Sequence, residues 1–322
     1  MEGVIQRSFS INLRVMKACY LYPPLQHKCL YKMAAYLMHL CFVMLVPTLG
    51  ILHLLLEDNL DMERVNYNAA FLAQTTCFTT KLLPFIRDGQ RIRKCIDYFD
   101  SSLFTVTRQK QKTIIDNCIK VCRRNTFIFL VCAGGAVGSW ATKPFFWEGH
   151  KLPVDVWLPF NTSEKLIIYY PVYFIIAIGP CFASVATGVI DPLIAGLAYN
   201  ATTQIKILKD NLQYLSEYAD EEMLKNRKTS STEQISIIKN EIIYNKIRQS
   251  IDHHDAILNF VKEYEKCFSL VVFSQFAASV FSNTVADAIY MSKWYDYDAK
   301  CKKALIILME RSKVPIAVTA GK

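Results

Sequence analysis

Residues 166–190 read LIIYYPVYFIIAIGPCFASVATGVI, 25 positions without an Asp, Glu, Lys or Arg. A helix rises about 1.5 Å per residue, so roughly 20 apolar residues cross about 30 Å of hydrocarbon, and this stretch is long enough. Three further stretches, 34–56, 125–142 and 267–286, are also free of charge and near that length. A fifth, 65–86, is more polar because it holds Thr75, Thr76, Thr79, Thr80 and Lys81. Lys81 lies near its end, where a long side chain is expected to snorkel to the interface. The fold class expected is an all-α integral membrane protein, a multi-span helical bundle.

The segments between these stretches carry Lys and Arg unevenly. Residues 1–33, 57–64, 87–124, 143–165 and 191–266 hold 5, 1, 10, 3 and 10 of them. Positive charge is retained on the cytosolic side, so the alternation predicts a cytosolic amino terminus and exterior loops at 57–64 and 143–165. The expected order is a cytosolic segment 1–33, spans one to four within 34–190, a cytosolic helical segment 191–266, a fifth span 267–286 and a cytosolic segment 287–322. The net charge of +9 then points to anionic membrane lipid rather than nucleic acid. Arg7, Arg14, Lys17, Lys28 and Lys32 precede the first long apolar run, so that run is expected to be an uncleaved span.

The 11 cysteines all fall outside the two short exterior loops, and no disulfide across the outer face is expected. Ile92, Ile96, Phe99 and Leu103, and later Ile114, Ile115, Cys118 and Ile119, recur at helical spacing, so 87–124 is expected to continue the spans as cytosolic helices. The same holds for Ile205, Leu208, Leu212 and Leu215, with a polar break at 226–233 and Ile237, Ile238 and Ile242 after it. Residues 143–165, KPFFWEGHKLPVDVWLPFNTSEK, mix Pro144, Pro153 and Pro159 with aromatics and predict a compact loop or lid. Its aromatics suit an interfacial belt as well as ligand contact. Asn161 begins an Asn-Thr-Ser glycosylation acceptor.

Asp252-His253-His254-Asp255 is the densest set of metal-ligand types, but adjacent helical residues point about 100° apart, so a solvated face is expected and no metal. There is no phosphate loop, HExxH or nucleophile elbow, and the residues imply neither an enzyme nor a cofactor. Gly134, Gly135 and Gly138 would let helices approach closely. Phe71, Thr75, Trp140, Tyr169, Tyr170, Tyr173 and Phe174 fall in the outer halves of spans two to four. They would suit a small, volatile, mostly apolar ligand. Ordinary helix packing is the competing reading of each residue.

Three blocks carry a family resemblance. LPVDVWLPFNTSEKLIIYYPVYF resembles the second exterior loop and fourth span of insect odorant receptors. HDAILNFVKEYEKCFSLVVFSQFAASVF, with Gln275-Phe276, is similar to that family's cytosolic helix and fifth span. VADAIYMSKWYDYDAKCKKALIILMERSKVPIAVTAGK matches its carboxyl end through Trp294-Tyr295 and Thr319-Ala320-Gly321-Lys322. The resemblance implies a seven-span protein that joins an odorant co-receptor in a tetrameric, odorant-gated cation channel in the membrane of an olfactory sensory neuron. It implies a ligand pocket in the outer half of the bundle, to which this chain would contribute Phe71, Thr75, Trp140, Tyr173 and Ile176.

The same resemblance implies a sixth span that this sequence lacks, since only Ser282 to Thr284 separate Phe281 from the block beginning at Val285. The family's pore-lining helix would start where Lys322 stands. Residues 287–322 also carry seven Lys and Arg, which a missing span would return to the cytosolic side. The chain is therefore expected to be an odorant receptor lacking its sixth span and pore helix, through a skipped exon, a partial gene model or a pseudogene. The alternatives are a truncated, non-conducting partner of the co-receptor and a related gustatory receptor.

Overall fold

The structure, a computed structural model, describes residues 3–24, 28–56, 62–106, 108–146, 152–160, 166–225 and 232–291. Nine α-helices run through them: α1 (Val4–Ala18), α2 (Lys28–Met38), α3 (Leu45–Leu56), α4 (Met62–Arg87), α5 (Gly89–Ile96), α6 (Gln109–Thr142), α7 (Leu166–Gln213), α8 (Leu215–Lys225) and α9 (Thr232–Met291). There is no strand among the described residues. Cys29–Leu56, Gln109–Phe146 and Leu166–Gln213 are long and apolar enough to cross a membrane, and α4 is too polar to join them. The 48 residues of α7 measure about 72 Å, more than twice a hydrocarbon core. Asn161 and everything from 292 onward, including the carboxyl-terminal block, lie outside the described residues.

The helices divide into two compact units, each with its own core. The first comprises Met1–Ala35, Asp88–Ser139 and Ser184–Cys267. In it α1 buries Ile5, Phe9, Leu13 and Met16, positions that recur every three to four residues and so form one apolar stripe. Gly196 of α7 admits the Phe9 ring, because a Cβ there would sit 2.5 Å from it. Asn12 ties three helices together. Its amide donates to the Val189 carbonyl at 2.7 Å and its oxygen accepts from the Thr126 hydroxyl at 3.0 Å, all of it buried.

The expected helix through Leu103 stops earlier. After Ile96, residues 97–104 form two short 3-10 turns about Ser101, which is extended. That shift buries Phe104 and leaves Leu103 54% exposed. Phe99 packs 5.0 Å from Phe104 and 4.3 Å from Phe260 of α9. His253 also faces inward, with Nε2 3.2 Å from the Gln204 oxygen and the ring edge-on to Phe104. Burial lowers its pKa. His254 and Asp255 next to it are exposed, and no three metal-ligand side chains converge among the described residues.

The second unit comprises Tyr36–Arg87, Trp140–Ala183 and Phe268–Lys322. Between α2 and α3 the chain winds as a π-helix over His39–Met44. Pro47 lacks the N–H that would bond the Val43 carbonyl inside that segment, and widening the turn is one way a helix absorbs such a loss. Gly179 of α7 faces the same segment so closely that a Cβ would lie 2.4 Å from the Phe42 carbonyl oxygen. Lys81 is 9% exposed and so is buried in protein instead of extended to the surface. The ten described cysteines are free thiols.

Candidate functional site

In the second unit α3, α4, α7, the end of α6 and one loop meet in an apolar cluster. Val46, Val154 and Ile176 are each 2% exposed, and Phe71, Trp140, Leu152, Val156 and Val172 pack against them. The Phe71 and Trp140 rings stack at 5.7 Å with 11° between their planes. Tyr173 belongs to the adjoining cluster with Tyr169 and Ala177, which shares Trp140 and Leu152. The Tyr173 hydroxyl donates to the Ala141 carbonyl, and Phe145 meets the ring edge-on at 5.2 Å. Four of the five residues expected to line a pocket are therefore brought together: Phe71, Trp140, Tyr173 and Ile176.

Thr75 has a different setting. It is 5% exposed, and its hydroxyl is held by the carbonyls of Phe71 and Leu72, both at 3.0 Å. It lines a separate small cavity of about 10 Å³ with Phe42, Val46, Phe78, Gly179 and Pro180. Such a volume holds about one water. A small organic molecule would have to displace side chains to enter.

The loop residues 152–160 close the cluster. Leu152, Val154 and Val156 all pack in the cluster, and the Trp157 N–H donates to the Leu49 carbonyl at 3.0 Å. Sequence reasoning placed a lid here but missed its three apolar contacts. It also missed Asn68 of α4, which is 1% exposed with neither amide atom hydrogen-bonded among the described residues. The spacing of Asn68, Phe71 and Thr75, three and then four residues, was the available signal.

The first unit holds a larger cavity, about 940 Å³, but its lining is polar and of both signs. Its cations already have partners: Lys110 pairs with Asp210 at 2.7 Å, Lys246 pairs with Glu222, and the Arg108 guanidinium lies 3.3 Å from the centre of the Tyr218 ring. An apolar ligand finds better complementarity in the second unit.

An all-helical membrane protein with an aromatic, apolar cluster beneath a loop is thus the class defined by fold and cluster. Residues 61–283 and 281–322 match the model of the 7tm Odorant receptor family. The chain belongs to that family. Its fold is similar to the structure of the insect olfactory receptor OR5 from Machilis hrabei, with a TM-score of 0.67 at 12% identity over 94% of this chain and 74% of that one. A second structure of OR5, in complex with eugenol, aligns with a TM-score of 0.54 at 11% identity over 97% of this chain and 91% of that one. No curated protein matches the chain in sequence.

Proposed function

We propose that this chain is an odorant-sensing subunit that binds a small volatile, mostly apolar molecule at the cluster of Phe71, Trp140, Tyr173 and Ile176. It acts with the odorant co-receptor to gate a cation channel in the membrane of a sensory neuron, amino terminus inside. The observation that carries the reading is the convergence of those four side chains with Val46 and the loop residue Val154. The eugenol bound by OR5, a small aromatic volatile, supports a ligand of that size and polarity. Thr75 contributes from the neighbouring cavity, so enlarging that cavity is part of how the site opens. Co-expression with the co-receptor tests the proposal: a volatile-evoked current that Ile176→Trp abolishes supports it, and a current indifferent to that substitution overturns it.

A second reading has an observation of its own. The family match comes in two segments that overlap at 281–283, which supports an interruption at the place where the sixth span is expected. A chain lacking that span would occupy a place beside the co-receptor without conducting. Suppression of another receptor's current on co-expression, with no current of its own, would favour this reading.

A further inference from the structure

Asn68 stands one turn before Phe71 on α4, so both lie on the helix face that also carries Thr75. Its side chain is 1% exposed, and neither Nδ2 nor Oδ1 has a hydrogen-bond partner among the described residues. The indole Nε1 of Trp140 is likewise buried without a partner, and its ring lies against Phe71. The side chains packed around them, Val46, Val154, Ile176, Leu152, Val156 and Val172, are aliphatic. Trp140 thus brings one unpartnered polar group to the apolar site, and helix spacing puts Asn68 on the face that carries Phe71; burial of such groups without a partner among the described residues is costly.

We propose that Asn68 and Trp140 make the site selective for volatiles carrying a hydroxyl or carbonyl oxygen over hydrocarbons of the same shape. This inference rests on the ligand site proposed above. The amide offers two N–H donors and the indole one, against a single acceptor at Asn68 Oδ1, so the group that fits best is a neutral oxygen with free lone pairs. A hydroxyl also returns a donor to Oδ1. A carboxylate or an ammonium would lose its hydration among aliphatic and aromatic side chains, which costs far more than burying a neutral oxygen. Satisfying such a buried group is worth about ten- to a hundredfold in affinity, and sites built around one reject analogues that lack the matching atom.

The test uses isosteric pairs: benzyl alcohol with ethylbenzene, cyclohexanol with methylcyclohexane, and acetophenone with isopropylbenzene. Dose-dependent thermal stabilisation of the purified full chain in lipid nanodiscs gives an affinity for each, and the oxygenated-to-hydrocarbon ratio is compared between variants so that partition into lipid cancels. Asn68→Leu, which keeps the volume and removes the amide, should lower that ratio about tenfold. Trp140→Phe should lower it in the same direction. A ratio changed by less than about twofold in both variants overturns the selectivity. Ile176→Trp separates the two claims, because it should abolish binding of both pair members by filling the cluster. If Ile176→Trp leaves binding intact, or if no pair member binds the unsubstituted chain, the site reading itself fails.

Discussion

Gly179→Ala tests how tightly α7 is set against the π-helical segment. The added Cβ would stand 2.4 Å from the Phe42 carbonyl oxygen, whereas the closest favourable carbon to oxygen contacts lie at about 3.3 Å. One of the two elements must therefore move by roughly 0.9 Å, and the obstacle is backbone, which cannot rotate away as a side-chain tip does. Overpacking of this kind costs about 1–3 kcal/mol. With an unfolding entropy of about 2.1 cal/mol/K per residue, the 322 residues convert each kcal/mol to roughly 1.5 °C, so the midpoint should fall by about 1.5–4.5 °C. Gly135→Ala is the matched control, since a Cβ there meets nothing within 4 Å. It should leave the midpoint unchanged or raise it through the higher helix propensity of alanine. Fluorescence-detected size-exclusion after heating the full chain in detergent measures both. Equal midpoints for Gly179→Ala and the unsubstituted chain would refute the close approach, and a matching loss in Gly135→Ala would refute its specificity.

Asn12→Ala should cost about 2–3 kcal/mol, because it strands the Thr126 hydroxyl and removes the second bond to the Val189 carbonyl in a buried setting; the same heating assay reports it, and a change below about 0.5 kcal/mol would contradict the three-helix bridge. Tyr173→Phe removes only the hydroxyl bonded to Ala141 and should cost about 1 kcal/mol while keeping the ring contacts. His253 has its pKa lowered by burial, so the folded state resists protonation: its contribution is complete above the ordinary value near 6.5 and declines as pH falls from there toward the lowered folded value. His253→Gln, which keeps a partner for Gln204, should flatten the stability profile of the chain below about pH 6.5, and an unchanged slope would show that another group titrates there.

How far the sequence reached depends on which physics each feature follows. Membrane helices announce themselves by length without charge, which is why 166–190 and 34–56 were legible and why α4, with its threonines, was the doubtful one. Phe71, Trp140, Tyr173 and Ile176 could be named from sequence because they lie in candidate spans and match a known family, and the structure packs them into two adjoining clusters. Thr75 was assigned to the same lining, and its side chain borders a small cavity that shares Val46 with the cluster. The turn at Ser101 that exchanges Leu103 for Phe104 was invisible to periodicity. It is decided by the tertiary demand of Phe99 and Phe260 for a third ring. The two histidines show the converse. Adjacency puts them on different faces of the helix, but which one turns inward depends on Gln204 in another helix.

The small cavity that shares Val46 with the candidate site, about 10 Å³, is too small for an odorant, and a site that must open to bind has a consequence in time. A binding-competent conformation populated at about 1% would weaken the apparent affinity about a hundredfold relative to a preformed pocket. The occupant would then be expelled whenever Trp140, Phe71 and the loop at Val154 returned to their contacts. A sensor built this way trades sensitivity at threshold for a short memory: its signal would follow the rise and fall of a plume instead of averaging over it.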